Sequence, residues 1–446
     1  MKTKNINRRE FLTSTAKIGA AGMVAPALLT SCAGSKKNTP YRAEGTYYVP
    51  ELPDKAIDGR ELKVGLVGCG GRGSGAIQNL LHAADGITVL ALGDVFEDRL
   101  NGAREMLAND YDQKVADENC FIGFDAYQKV IDSGVDMVIL ATPPAFRPDQ
   151  FKYAVEKGVH AFLEKPIAVD AKGYRTCMAA AKMAQAKGLA VITGTQRHHQ
   201  RPYVEAFKLI QQGMIGEVTG GNVYWNQGQL WYREREKGWS DMEWMIRDWV
   251  NWEWLSGDHI VEQHVHNIDV FMWMTGLTPI SATGIGARHR RVTGDQYDQF
   301  SVDFDFGKGI HLHSMCRQIN GTSTNVSERI NGTKGYWNSA DETIRDLQDN
   351  ILWEYKEDPA FQQNDAYTLE HVDWVNHIRK GTAHEEATGT AQSSLAGVMG
   401  REAAYTGQTI EWEQISASDL DLMPEKLEIG PMDMSNYKVH VPGGDE

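Results

Sequence analysis

The sequence predicts an α/β chain: a doubly wound parallel sheet comes first, and an antiparallel sheet follows in a second domain. Three observations carry this. An apolar strand beginning at Leu62 runs straight into Gly68-x-Gly70-x-x-Gly73 and a helix-like segment. Strand-like and helix-like segments then alternate as far as Gly194. Beyond it the pattern changes to runs in which apolar and polar residues alternate, the mark of a sheet covered on one face.

The N-terminus lies outside both domains. Asn7-Arg8-Arg9-Glu10-Phe11-Leu12 has twin arginines, and a small-residue apolar stretch runs from Ile18 to Leu29. This reads as an export signal, too short and small-sided for a membrane span. The arginine pair points to the twin-arginine route. Leu29-Thr-Ser-Cys32 resembles a lipoprotein processing site, which makes Cys32 the lipidated first residue; plain cleavage near Ala33 is the other reading. Residues 1–32 are thus the signal and residues 33–60 a tether. The expected location is periplasmic or outer-membrane-anchored, with Cys32 as the only membrane contact.

In the first domain, residues 61–195, the glycines have separate tasks. Gly68 permits a tight turn, Gly70 lets the backbone approach a pyrophosphate, and Gly73 lets helix pack on strand. Gly71 and Arg72 lie within the turn, whose free N–H groups favour phosphate. The second strand, Ile87–Leu92, ends at Gly93-Asp94, where an acidic residue grips the adenosine ribose. The cofactor is NAD rather than NADP, because the Asp94 carboxylate repels a 2′-phosphate; Arg72 weakens that preference. Helices are expected at Ser74–Ala83, Glu97–Asn109, Ala126–Asp132, Asp149–Lys157 and Ala171–Lys187. Short apolar strands lie at Val135–Ala141, Ala161–Leu163 and Ala190–Thr193. The strand ending Ala141-Thr142-Pro143-Pro144 faces the ligand crevice, and Phe162-Leu-Glu164-Lys165-Pro166 ends in a charged pair.

The second domain covers residues 196–415, with alternating runs at Val218–Gln227, Ile280–Arg288, Phe300–Phe306 and Gly309–Arg317. Helices are expected at Tyr203–Gln212, Val261–Met274, Tyr367–Lys380 and Gln392–Thr406. A tryptophan-dense region carries Trp225, Trp231, Trp239, Trp244, Trp249, Trp252 and Trp254. These rings serve as core or as sugar-stacking faces. Residues 416–446 form an acidic, proline-punctuated extension draped over the surface. The formal charge of −15 argues against nucleic acid as a partner. Cys69, Cys120, Cys177 and Cys316 are scattered and read as buried free thiols.

Together the Gly68 turn, Asp94, Ala141-Thr142-Pro143, Glu164-Lys165-Pro166, Glu262-x-x-x-His266-x-x-Asp269 and Gly332-Thr-Lys-Gly335 resemble the Gfo/Idh/MocA oxidoreductases across about residues 60–410. The resemblance implies a Rossmann domain followed by an α+β domain with a large open antiparallel sheet, often used for oligomerisation. A homo-oligomer is therefore expected. Three departures stand out. The family usually has Asp at Glu262, glycine at His264, and a histidine in the turn where this chain has Phe146 and Arg147. The export signal, tryptophans and Gly257–His266 segment resemble a secreted, Bacteroidetes-type branch, similar in part to the NAD-dependent glycosidases of glycoside hydrolase family 109.

The resemblance implies His266 as base and Lys165 as the group holding the substrate hydroxyl. It places Thr142, Pro143, Glu164 and Lys165 at the cofactor. Glu262, one turn before His266, orients it or binds a sugar hydroxyl; a surface pair between Lys165 and Glu164 is the blander reading. Pro166 follows a cis bond in the family. Arg197, His198, His199 and Arg201 line the crevice or sit on a solvated loop, and Tyr203, Trp225 and His264 complete the expected substrate contacts. His259, Glu262 and His266 share one helical face, but no metal is expected. The function read from this is hydride transfer between tightly bound nicotinamide and a sugar or glycoside hydroxyl. An alternative is a redox-neutral glycosidase, and a second alternative is a non-catalytic glycan-binding lipoprotein.

Overall fold

The computed structural model describes residues 40–443. The twin arginines, the apolar stretch and Cys32 lie outside the described residues. In the first domain the strands are β1 (Leu62–Val67), β2 (Ile87–Asp94), β3 (Cys120–Ile122), β4 (Met137–Leu140), β5 (His160–Leu163) and β6 (Ala190–Thr193). In the second they are β7 (Val218–Gln227), β8 (Ser281–Ala287), β9 (Gln299–Asp305), β10 (His311–Gln318), β11 (Asn325–Gly332), β12 (Gly335–Asn338), β13 (Thr343–Asp346) and β14 (Ile351–Glu354). Two short strands, β15 (His384–Glu385) and β16 (Ile410–Glu411), come last.

The first sheet has the order β15-β6-β5-β4-β1-β2-β3, and its pairings are parallel. Both faces are covered, so β4 and β6 are buried along their whole length, which explains their unbroken apolar runs. The sequence order reverses about β1, so the crevice opens beside the glycine turn. The second sheet has the order β14-β13-β12-β11-β7-β10-β9-β8-β16. It is mixed rather than purely antiparallel, because β7 and β10 run parallel at its centre. Strands β11 to β14 were not expected from the sequence. β12, β13 and β14 have four residues each, too few for alternation to stand out, and the eight residues of β11 are mostly polar.

Three segments pack differently from the sequence reading. The stretch taken as a tether is docked from Tyr41 on: Tyr41 N–H donates to Gln211 O at 2.7 Å, and Ile57 N–H to Asn376 Oδ1 at 2.8 Å. Helix Ala366–Lys380 belongs to the first sheet although it follows the second in sequence. Its Trp374 is fully buried beside Phe162 and donates Nε1–H to Ala190 O at 3.2 Å. The expected helix over 261–274 is broken into His259–Glu262 and Val265–Thr275. The C-terminal extension does run over the surface, but it also seals an apolar cluster. Leu422, Met432 and Tyr437 pack with Trp252 and Trp254, and Leu422 N–H donates to Asp170 Oδ2 at 2.9 Å.

The four described cysteines are free. Cys69, Cys177 and Cys316 are buried, while Cys120 is only half-buried.

Candidate active site

The Gly68 turn is shaped for a pyrophosphate. Gly68 has φ +90°, a left-handed conformation that favours glycine. A Cβ on Gly73 would lie 1.8 Å from Gly68 O, so only glycine lets this helix approach the strand. At Gly70 and Gly71 a Cβ would meet nothing within 4 Å; the space in front of the turn is open. The helix Gly71–Ala83 starts there with no side-chain cap, leaving its first N–H groups for an anion. These features fit a bound dinucleotide.

The groove has a volume of about 430 Å³. Gly70, Asp94, Thr142 and Pro143 line one side of it. The Asp94 carboxylate accepts from Cys69 N–H at 2.6 Å and Phe96 N–H at 2.8 Å. Burial pushes its pKa up, and these N–H groups oppose the shift. Its remaining lone pairs are what a ribose hydroxyl would use. Trp231, Arg233, Arg247 and Trp249 supply further wall from the tryptophan-rich insert. The Arg247 guanidinium lies 3.9 Å over the Phe96 ring and pairs with Asp98 at 3.0 Å, which fastens the insert across the groove.

Lys165 follows β5, at the same carboxyl edge of the sheet. Its ammonium donates to Glu262 O at 2.5 Å and to Glu262 Oε1 at 3.1 Å. Its partner is therefore Glu262, across the domain boundary, and not Glu164. Glu164 is buried and pairs with Arg72. Arg72 also lies 3.5 Å from Glu370 and 4.6 Å over the Tyr367 ring. Arg147 opens the helix Arg147–Lys157, just after the Thr142-Pro143 turn. It is buried, its pKa is pushed down to about 10 by that burial, and it donates to Pro166 O at 2.6 Å. It braces the turn that presents Lys165. The Lys165–Pro166 bond is cis.

His266 stacks on Trp225, with ring centroids 5.5 Å apart and planes 19° apart. Burial, reinforced by the Lys165 charge, holds its pKa well below the ordinary value. The imidazole is therefore neutral and able to accept a proton. Glu262 does not orient it by sharing a helical face, because the helix breaks between them.

The Arg197–Arg201 segment is not a solvated loop: Arg197, His199 and Arg201 are buried. Arg197 pairs with Glu328 at 2.6 Å and lies 5.4 Å over the Trp225 ring. Tyr203 donates its hydroxyl to Glu328 at 2.9 Å, and Asn267 donates to the same carboxylate at 2.6 Å. Arg197 thus packs on Trp225, while Tyr203 is held by Glu328. His198 bonds Asp269 at 2.6 Å and stacks on Trp273. Burial alone would lower its pKa, but Asp269 outweighs that and raises it. It is half-buried between Asp269 and Trp273. His264 is fully buried, bonds Ser314 Oγ at 2.7 Å, and is pushed down to about 3 by burial. It is a core residue. His259 bonds Asp258 at 2.9 Å, so His259, Glu262, His264 and His266 face different partners. Glu328 and Glu370 escaped sequence reasoning. A lone acid in a β-strand or a helix looks solvent-facing until the fold buries it.

Two family models match the chain. One, described as an oxidoreductase family with an NAD-binding Rossmann fold, matches residues 62–195. The other, the GFO/IDH/MocA C-terminal domain, matches residues 203–338. The chain is 28% identical over 221 residues to a 2,7-anhydro-N-acetylneuraminate hydratase of Mediterraneibacter gnavus, covering 48% of this chain and 54% of that protein. It is 25% identical over 230 residues to a glycosyl hydrolase family 109 protein of Shewanella pealeana, covering 51% and 47%. The chain thus spans about half the length of these relatives. A solved scyllo-inositol dehydrogenase of Lactobacillus casei, with bound NAD(H) and scyllo-inositol, has the same fold: TM-score 0.60, 21% identity, covering 79% of this chain and 100% of that one.

Proposed function

Because the chain belongs to the Gfo/Idh/MocA oxidoreductase family and carries its NAD-binding Rossmann domain, we propose that it transfers a hydride between a retained nicotinamide and a ring carbinol of a sugar or glycoside. The observation that carries this reading is the pairing of Lys165 with Glu262 beside the neutral His266 on Trp225. When bound, the nicotinamide supplies the hydride acceptor and donor. Lys165 holds the substrate hydroxyl oxygen and stabilises negative charge developing there. His266 accepts the hydroxyl proton on a ring nitrogen. The Trp225 face packs against an apolar sugar face.

Export by the twin-arginine route and a lipid anchor at Cys32 belong to the same proposal and rest on the sequence. So does assembly into a homo-oligomer. Outside the cytoplasm a lost cofactor has no ready replacement. The insert that walls the groove with Trp231, Arg233, Arg247 and Trp249 supports retention. A second reading is favoured by the relatives: hydrolase and hydratase names denote reactions without net redox. On this reading the bound nicotinamide would supply a transient oxidation that acidifies the neighbouring C–H, and Lys165 and His266 would hold the carbinol oxygen and its proton while the leaving group is exchanged for water without net redox.

The test uses protein purified without added nucleotide. Its absorbance is read at the reduced-nicotinamide band before and after candidate glycosides are added. A keto sugar with reduced cofactor supports the first reading. Free sugar without net reduction supports the second. Protein free of nucleotide and unable to bind it overturns both and leaves a glycan-binding role.

The pH profile follows from His266. Its folded pKa lies below the ordinary 6.5, so the base stays neutral until pH falls through that depressed value. The acid limb of kcat/KM is expected below pH 6.5, and its loss in His266→Gln assigns it. An acid limb at or above the ordinary histidine value would remove His266 as the base.

A further inference from the structure

A cluster of metal-ligating side chains lies away from the active site, and the proposed reaction does not use it. Asp373 and His377 are four apart on the helix Ala366–Lys380, so they project from one face. His384 opens β15, the edge strand that joins the first sheet. One ligand atom from each of the three lies within 4.8 Å of the others. Tyr48, from the leading segment, caps the group. Its hydroxyl is 2.8 Å from Asp373 Oδ1 and 2.9 Å from His377 Nε2.

From this arrangement we propose a zinc site formed by Asp373, His377 and His384, with the Tyr48 oxygen beside the fourth position. Three features support it. Two imidazoles and one carboxylate form a nitrogen-rich set that suits Zn²⁺ rather than Mg²⁺ or Ca²⁺. The outer groups needed to hold such ligands are already present. Thr382 Oγ1 is 2.8 Å from His377 Nδ1, which leaves Nε2 for the metal, and His199 Nε2 is 3.1 Å from Asp373 Oδ2. The third is an unpaired ligand atom: His384 Nε2 is enclosed with no hydrogen-bond partner, 3.7 Å from Glu386 Oε1.

A dication would be balanced by Asp373 together with Glu386. Bonds of about 2.0–2.1 Å bring tetrahedral ligand atoms roughly 3.4 Å apart. The Asp373–His377 edge, at 3.7 Å, is near this already. The His384 ring, now stacked on His377 at 4.6 Å, must rotate out of the stack to complete the set. Zinc there would staple the leading segment, the helix Ala366–Lys380 and the β15 edge into one unit.

The full chain is stripped with chelator and titrated with Co²⁺, which reports tetrahedral coordination by strong visible d–d bands. The expected result is saturation at one equivalent, displacement by Zn²⁺, no near-ultraviolet thiolate band, and a higher thermal midpoint with Zn²⁺. His384→Asn and His377→Asn should each abolish the visible bands, and Tyr48→Phe should shift them. Absence of the bands in a chain whose circular dichroism shows it folded overturns the site. So does persistence of the bands in folded His384→Asn. Nucleotide content is unaffected either way, so the outcome is independent of the proposed hydride transfer.

Discussion

Lys165→Ala is expected to lower turnover by about 10²-fold or more while bound nucleotide stays at the wild-type level. The two effects separate because Lys165 is not part of the groove wall. Its ammonium is held by two oxygens of Glu262, and that geometry leaves its remaining proton for a substrate oxygen. Lys165→Arg is expected to fail as well. A planar guanidinium cannot reproduce the compact ammonium at 2.5 Å from Glu262 O. Glu262→Gln removes the paired charge but keeps an acceptor at Oε1, so a smaller loss is expected. Single-turnover rates and nucleotide stoichiometry, measured on the same preparations, read both effects. Wild-type turnover in Lys165→Ala would exclude the lysine from the chemistry.

The second large effect divides the glycine turn into two functions. In Gly73→Ala the new Cβ meets Gly68 O at 1.8 Å and the Ala141 Cβ at 3.3 Å, so the helix must move off the strand. Overpacking of this kind costs about 1–3 kcal/mol or more, and the thermal midpoint should fall with nucleotide binding. In Gly70→Ala the Cβ enters open space, and the backbone φ of −70° suits alanine. The midpoint of the nucleotide-free protein should then change by no more than about 0.5 kcal/mol equivalent. Nucleotide affinity should nevertheless fall about tenfold or more, because the methyl occupies the phosphate approach. Calorimetric titration with NAD and melting of the stripped protein measure the two separately. Unchanged affinity in Gly70→Ala would mean that the dinucleotide does not approach this turn.

Much of the first domain was legible from the sequence. Strands β1, β2, β4, β5 and β6 are short apolar runs, and a strand covered on both faces leaves that signature whatever its partners. The glycine turn was legible because steric limits on Gly68 and Gly73 act within a few residues. The second sheet was half legible. Its long strands alternate clearly, whereas β12, β13 and β14 have four residues each. The helix break before Val265 was missed because the apolar periodicity continues through it.

The candidate site divides in the same way. Lys165, Glu262 and His266 were named from motifs, yet the only ion-pair partner the sequence suggested for Lys165 was Glu164. Glu164 turns to Arg72, and Lys165 reaches the second domain. Tyr203 and His264 were plausible contacts by residue type, and the fold buries both, Tyr203 against Glu328 and His264 against Ser314. Arg147 looked like a departure from the family and instead braces the lysine turn.

By itself, then, the sequence determined the parallel α/β class and the phosphate-binding turn. Each depends on backbone sterics or periodicity over a few neighbouring residues. Only the tertiary structure decided which carboxylate holds Lys165, that an insert walls the nucleotide groove, and that Tyr48, His377 and His384 meet. Those contacts join residues far apart in the chain. Burial and charge pairing then select among side chains that look equally polar in sequence.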